Sequence, residues 1–442
     1  MTAAPEPVSS NPVAPGAVVS AVGEAPSALV RLAASVAAVG LVALNLRPGI
    51  TTVGPVLEKV TAYYGAGSAA AGVITAVPVV AFALISLATP LLLARISLRA
   101  GLYAALGLIT VSLAARPWGD LAVFVIATFT SALGVGLLSV LIPALIRTTG
   151  STRTLVTTFT TALQAGAAIG FAAAVPLSQA VGGWQLGLAA WALLAPIGAV
   201  ALWRSPLAKR VPSADASTPG AESTGPAASH DDRAGAARAV ENPIAILRRT
   251  GTVGLAVFFG LQAMLAFVVI GWLPSVLGDA GVGERAAGGV LGLLTCLAVP
   301  ISLVVPPFVV RSAHPERWLA GFSACSVLGI LGFLLAPSAA PLVWSLILGV
   351  GLSVFSLALT VITVRAPTPE QAVGLSSAVQ GVGYVIAALG PYGIGVVRQF
   401  DAGWGLPLGA LLITAVVQTV VGYRVGAART ADPENVPTNE RQ

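Results

Sequence analysis

The sequence predicts an all-α integral membrane fold: about twelve transmembrane helices in two pseudo-repeated six-helix bundles. Three observations predict it. First, 56% of the 442 residues are hydrophobic and 9% are charged, with a mean hydropathy of +0.90. Ordinary soluble domains carry about 25% charged residues. Second, about twelve apolar segments reach the ~20 residues a helix needs to cross a ~30 Å hydrocarbon core. Third, basic residues are concentrated in every other inter-segment loop.

The segments run over 33–57, 69–93, 100–116, 120–146, 155–180, 185–204, 251–277, 286–310, 317–336, 340–364, 372–397 and 404–426, and are numbered here as spans 1 to 12. Their apolar runs are continuous rather than alternating, which excludes a transmembrane barrel. Many of the chain's 49 glycines and 31 prolines fall within them and are tolerated in lipid, where small residues let helices approach closely. The first ~28 residues are rich in Ala, Pro, Val and Ser and lack the basic start of a cleaved signal peptide. Residues 1–30 therefore read as a disordered tail, 31–204 as one bundle and 249–426 as the other. Residues 205–248, with mixed charges including His230 to Arg233, read as a flexible linker, and 427–442 as a second tail.

Charge placement sets the expected orientation. With both termini cytoplasmic, the outer loops hold Lys59, Arg116, Arg285 and Arg398; Arg47 is intramembrane, and the other 18 of 23 basic residues face inward. This predicts a multi-pass protein of the cell membrane. The pI of about 9.8 then reflects topology; no basic helix face or nucleic-acid motif accompanies it. Cys296 and Cys325 both fall in apolar segments and read as small packing residues rather than a disulfide.

The two halves read as a repeat. Gly134-Val135-Gly136-Leu137 recurs as Gly349-Val350-Gly351-Leu352, Gln164 as Gln380, Arg147 as Arg365, and Pro90 with Arg95 as Pro306 with Arg311, at offsets of 215 to 218. Parallel six-span repeats place a solute site near the midplane, between the halves.

Arg47 lies roughly 15 to 20 Å from either end of span 1 by helical rise. Its side chain cannot snorkel that far, so its charge must face protein, water or a ligand. Pro48 removes a helical donor and frees the carbonyl of Leu44; Gly49 loosens the same turn. Broken helices at the midplane recur at transporter sites. Thr51 shares the Arg47 face one turn on, and Asn45 lies on another. No Asp, Glu or His lies at bilayer depth, so an anion or electron-rich planar solute is the natural partner of the guanidinium fork. The bland alternative is that Arg47 is interhelical glue satisfied by carbonyls. Gln164, Gln262, Gln380 and Tyr384 are further candidates for solute hydrogen bonds; glutamines also bond helix to helix. Arg95 and Arg311 are candidates for gating at matching inner ends, and simple topology determinants explain them as well.

The 6+6 plan, central loop and repeat resemble the major facilitator superfamily. The phrase Leu44-Asn45-Leu46-Arg47-Pro48-Gly49-Ile50-Thr51-Thr52-Val53-Gly54-Pro55 is similar to the signature of its cyanate/2-nitroimidazole permease branch. Phe259-Gly260-Leu261-Gln262 and Trp272-Leu273-Pro274 resemble that branch too; Trp272 reads equally as that branch's residue near the outer mouth or as an interfacial belt residue, and Trp118, Trp184, Trp318 and Trp404, near span ends, read as belt residues. The resemblance implies a secondary transporter working by alternating access on a cyanate-like anion or nitroimidazole-like azole, in either direction, with protons as a candidate coupling ion. One departure concerns the loop between spans 2 and 3. Leu93-Ala94-Arg95-Ile96-Ser97-Leu98-Arg99 keeps arginines but lacks the acidic residue on which the superfamily's usual gating ion pair depends.

Competing classes fare worse. A multidrug/proton antiporter of the same fold usually relies on an intramembrane carboxylate. An enzyme would need a catalytic constellation, and no Walker, zinc or Ser/His/Asp pattern is present. A sensor would need a signalling domain, and a channel a fixed pore. No metal or cofactor is expected.

Overall fold

The computed structural model describes residues 17–147, 152–207, 252–364, 369–400 and 403–430. Among them, twelve helices are long and apolar enough to cross a membrane: Leu29–Tyr63, Ser68–Thr89, Leu98–Ala115, Leu121–Ile146, Thr154–Ala180, Trp184–Arg204, Thr252–Asp279, Glu284–Arg311, Pro315–Leu335, Pro341–Ile362, Gly374–Phe400 and Gly405–Ala427. These are spans 1 to 12. They match the twelve apolar segments within a few residues at most boundaries, because continuous apolar runs in lipid have only the helix available to satisfy their backbone. The helix of span 1 begins earlier than the expected tail allows, at Ala17. The linker segment 208–251, and with it most of the 205–248 stretch, lies outside the described residues, as do His230, Arg365 and Asp401.

The repeat is visible in the helices themselves. The second span's helix, Ser68–Arg95, and the eighth's, Glu284–Arg311, both hold 28 residues, with bounds offset by 216 at each end. Symmetry fails at three breaks: a 3-10 turn over Trp191–Leu193 interrupts span 6, whose counterpart, span 12, is continuous from Gly405 to Thr430, and spans 1 and 10 break as well. Span 1 stops at Leu44, restarts as Pro48–Thr51, tightens to a 3-10 turn over Gly54–Val56 and ends as Leu57–Tyr63, whereas its counterpart, span 7, is continuous from Thr252 to Asp279. Span 10 breaks between Leu352 and Val354, whereas span 4 is continuous from Leu121 to Arg147. Proline does not decide this alone, since Pro143, Pro176, Pro274 and Pro391 all sit inside unbroken helices.

Three apolar cores organise the packing. One belongs to the first half, with Leu46, Leu106, Leu138 and Ile142. Another belongs almost wholly to the second, with Phe258, Phe259, Leu357 and Val379. The third crosses the seam, joining Val53, Val56, Leu57, Phe171 and Val175 to Leu265, Trp272, Leu273, Val276 and Leu291. This shared core lies toward the face opposite the linker, called the far side below.

Glycines allow the halves to close there. A Cβ on Gly54 would stand 2.3 Å from the Ile270 carbonyl oxygen, and one on Gly395 would stand 2.6 Å from both the Gly72 Cα and the Ser68 oxygen. Gly288 and Gly292 of span 8 face the Phe171 and Ala168 carbonyls of span 5, where a Cβ would lie 2.7 and 3.1 Å from the oxygens. At the rim, Lys59 pairs with Glu284 at 2.5 Å, and Arg285 donates to Gln179 at 2.6 Å. The structure is therefore closed on the far side. Beneath this seal, a cavity of about 20 Å³ remains among Ile50, Thr75, Thr128 and Phe267, room for about one water.

Candidate functional site

The break in span 1 follows from its residues. Pro48 has no N–H, and its ring displaces the carbonyl of Leu44, so the helix cannot run through. Asn45 and Leu46 instead bond back three residues, to Val42 and Ala43, in a tightened turn. Pro48 then starts the next short helix in the first position, where its missing donor costs nothing, with Arg47 as the cap residue. The Arg47 carbonyl accepts from both Ile50 and Thr51 backbone amides. Three neighbours press on the turn. The Leu44 carbonyl faces Gly166 of span 5, where a Cβ would lie 2.6 Å from its oxygen; Gly170 faces Thr51 and Pro48. Asn45 donates from Nδ2 to Leu41 O at 2.7 Å and to Leu194 O of span 6 at 3.1 Å. Gly170 is ten residues from the end of span 5, about 15 Å by helical rise, which puts the break at mid-span.

Arg47 leaves this turn toward the second half. It is partly accessible, makes no hydrogen bond or ion pair with any described residue, and lies within electrostatic range of Tyr384 of span 11. Tyr384 sits in an aromatic group, its ring 5.6 Å from Phe82, 5.2 Å from Phe259 and 6.3 Å from Phe267 between centroids. Spans 1, 2, 7 and 11 thus bring one cation, one phenol and three phenyl rings to the seam. The described acidic side chains stay at span ends: Glu58, Asp120, Asp279, Glu284 and Glu316.

The remaining candidates are distributed unevenly. Thr51 is buried and its hydroxyl donates to the Arg47 carbonyl at 3.1 Å, so it serves the turn itself. Asn45 is likewise committed, tying span 1 to span 6. Gln164 is half-buried without a described hydrogen bond, one helical turn from Ala168, which packs on Gly292 of the other half. Gln380 shares the Tyr384 face of span 11 one turn away, and its amide nitrogen donates to Ser376 Oγ. Gln262 is fully buried: it donates to the Leu352 carbonyl at 2.8 Å and accepts from Gln418 Nε2 at 2.5 Å. Its amide is engaged at the span 10 break. Pro48 and Gly49 form the helix break. Arg95 and Arg311 end the helices of spans 2 and 8 in exposed positions, with no described hydrogen bond between them.

Four residues stand elsewhere than the sequence suggests. Arg116, expected in an outer loop, is fully buried and donates from Nη1 to the Gly49 carbonyl at 2.6 Å. Arg47 is therefore not the lone interior cation. An arginine directly after an apolar run reads as a topology marker, and nothing in the sequence says that it turns inward. Trp272 is buried, donating to Pro391 O at 3.3 Å rather than lining a mouth or an interface. Trp184 is buried against Tyr63, Tyr64 and Phe124 instead of joining an interfacial belt. Cys296 is exposed rather than packed, and both cysteines are free. Gln418, Phe82 and Phe267 were not singled out by sequence, and Phe259 only as part of the phrase Phe259-Gly260-Leu261-Gln262. Gln418 carries the signal that marked Gln164, a lone amide in an apolar run; the phenylalanines carry none that separates a site ring from a core ring.

Two pseudo-repeated six-span halves, meeting around a broken helix with an unsatisfied cation, define a multi-pass membrane protein of the transporter class. The chain belongs to the Major Facilitator Superfamily, whose family model matches residues 38–391. It is 31% identical over 397 residues to the 2-nitroimidazole transporter of Escherichia coli K12, covering 88% of this chain and 95% of that one. To the cyanate transport protein CynX of the same organism it is 28% identical over 368 residues, covering 82% and 90%. It is also 28% identical over 393 residues to the uncharacterized transporter YycB of Bacillus subtilis 168, covering 88% and 92%. Among solved structures, an inward-facing, unoccupied bacterial homologue of the human lysosomal transporter Spinster superposes with a TM-score of 0.69 at 13% identity, covering 90% of this chain and 96% of that one. The resemblance to that structure concerns the fold.

Proposed function

We propose that the protein is a secondary transporter of a small anionic or azole-like solute, bound at the seam between Arg47 and Tyr384 and carried by alternating access. The observation that carries this reading is the state of Arg47. A guanidinium at mid-span costs several kcal/mol unless compensated, and no carboxylate among the described residues compensates it. An anion or a polarisable planar ring supplies the missing partner through paired N–H donors. The flanking rings of Phe82, Phe259 and Tyr384 suit a flat solute, since aromatic faces stack on planar groups. The relatives named for cyanate and 2-nitroimidazole transport lend the same chemistry. Gln164 and Gln380 complete the proposed site from the two halves. Arg95 and Arg311 are proposed to meet helix ends when the linker side closes. The proposed setting is the cell membrane with both termini cytoplasmic, and the proposed coupling ion is a proton carried with the solute or through Glu58.

The test is ligand stabilisation and proteoliposome uptake with sodium cyanate and 2-nitroimidazole. Arg47→Ala should lose both responses, and Arg47→Lys should recover only part, because an ammonium offers a point charge and not a fork. Wild-type stabilisation and uptake in Arg47→Ala would sink the proposal. Uptake that ignores an imposed pH gradient would remove the proton.

A further inference from the structure

We propose that Arg116 is a positioning residue that holds the span 1 break and so fixes the direction in which Arg47 enters the seam. The inference rests on the Arg47 site proposed above. Arg116 follows span 3 directly, and its side chain turns inward: fully buried, Nη1 2.6 Å from the Gly49 carbonyl, guanidinium carbon 5.6 Å from the Phe124 ring centre. The acceptor is one that the backbone has abandoned. Around the break, Ile50 and Thr51 donate to Arg47 O, Thr52 to Pro48 O, and Val53 to Ile50 O, which leaves Gly49 O outside the ladder. A carbonyl left unpaired in the bilayer interior costs several kcal/mol, and Arg116 is the described donor that removes that cost.

Gly49 lies two residues after Arg47, in the turn whose first backbone bonds converge on the Arg47 carbonyl. Anchoring Gly49 therefore anchors the backbone from which the Arg47 side chain departs. Leu113, one turn before Arg116 on span 3, closes the same face: a Cβ on Gly49 would meet it at 3.2 Å. The break in span 10 is held in the same way but by a neutral donor, Gln262 on Leu352 O. A carbonyl needs only a neutral donor. Span 1 instead takes a guanidinium with Nε and Nη2 buried and unpaired, adding a second cation beside the one that meets the solute.

The experiment uses the full-length protein and three variants: Arg116→Met, which keeps length and removes the donor, Arg116→Lys, which keeps a cationic donor, and Arg47→Ala. Hydrogen–deuterium exchange across residues 44–56 reads the turn without any ligand. Half-saturating sodium cyanate in uptake reads the site. Arg116→Met should raise exchange in 44–56 above the change in other spans. It should also raise half-saturation about tenfold, as loss of one charge-assisted bond would, with maximal uptake within about twofold of wild type. Arg116→Lys should restore most of both. Unchanged exchange over 44–56 in Arg116→Met overturns the proposal, as does an equal rise in every span, which would mark a packing role. If Arg47→Ala keeps wild-type half-saturation, the site itself is wrong and there is nothing for Arg116 to position. If Arg47→Ala fails and Arg116→Met does not, the site stands and this inference alone falls.

Discussion

At the scale of single residues, buried polar side chains in this protein divide by what they touch. Gln262 and Gln418 are both fully buried: Gln418 Nε2 donates to Gln262 Oε1 and Gln262 Nε2 to the Leu352 carbonyl, while Gln418 Oε1 has no partner among the described residues. Removing one member of such a set leaves its partners without bonds, at about 1–3 kcal/mol for each orphaned group. Gln262→Leu orphans the Leu352 carbonyl and the Gln418 amide together, so it should destabilise the detergent-solubilised protein more than Gln418→Leu. Equal unfolding midpoints for the two variants and wild type would refute this. Arg47 differs, for its guanidinium bonds to no described residue, and its substitution should cost ligand response and not stability. The exposed Lys59–Glu284 pair, with side chains 45% and 54% exposed, belongs to a third kind. Pairs of that exposure contribute about 0–1 kcal/mol.

At the scale of elements, the informative contrast is between helices that break and helices that carry proline unbroken. Span 1 was legible: Pro48-Gly49 beside an arginine announces a break in the sequence. Span 10 was not, because no proline lies between Leu352 and Val354; its break is held by Gln262, a residue 90 positions away. Arg116 was misread for the same reason, since contact with Gly49 across 67 positions leaves no local trace. The twelve spans, by contrast, depend on composition within each segment, and their boundaries could be read directly. Glycine packing decides the seam. Gly395 and Gly72 approach so closely that a Cβ at Gly395 would overlap backbone, so Gly395→Val should prevent far-side closure. A cysteine placed at the far-side end of span 11 should then label faster than in the parent. Unaltered labelling would show that the approach is not required.

At the scale of the whole molecule, one apolar core is shared across the seam and two belong essentially to one half each. This division suits rocking, because the shared core can part while the other two stay packed. The repeat supports the same view: helices Ser68–Arg95 and Glu284–Arg311 coincide at an offset of 216, so the halves are similar bodies that differ chiefly in where their helices break. Lys59 and Glu284 meet across the far-side rim. In a background without Cys296 and Cys325, the pair Lys59→Cys and Glu284→Cys should form a cross-link that stops uptake until reductant is added. Full uptake with the cross-link in place would exclude opening on that side.

The most direct test of the central claim is the binding of sodium cyanate and 2-nitroimidazole to purified wild type and Arg47→Ala, read as thermal stabilisation. Loss of one charge-assisted bond pair predicts that Arg47→Ala needs about 10- to 100-fold more ligand for the same stabilisation, roughly 1.5–3 kcal/mol in affinity, with the unliganded melting temperature unchanged or higher. A lower melting temperature with the ligand response intact would contradict the account and make Arg47 a structural residue.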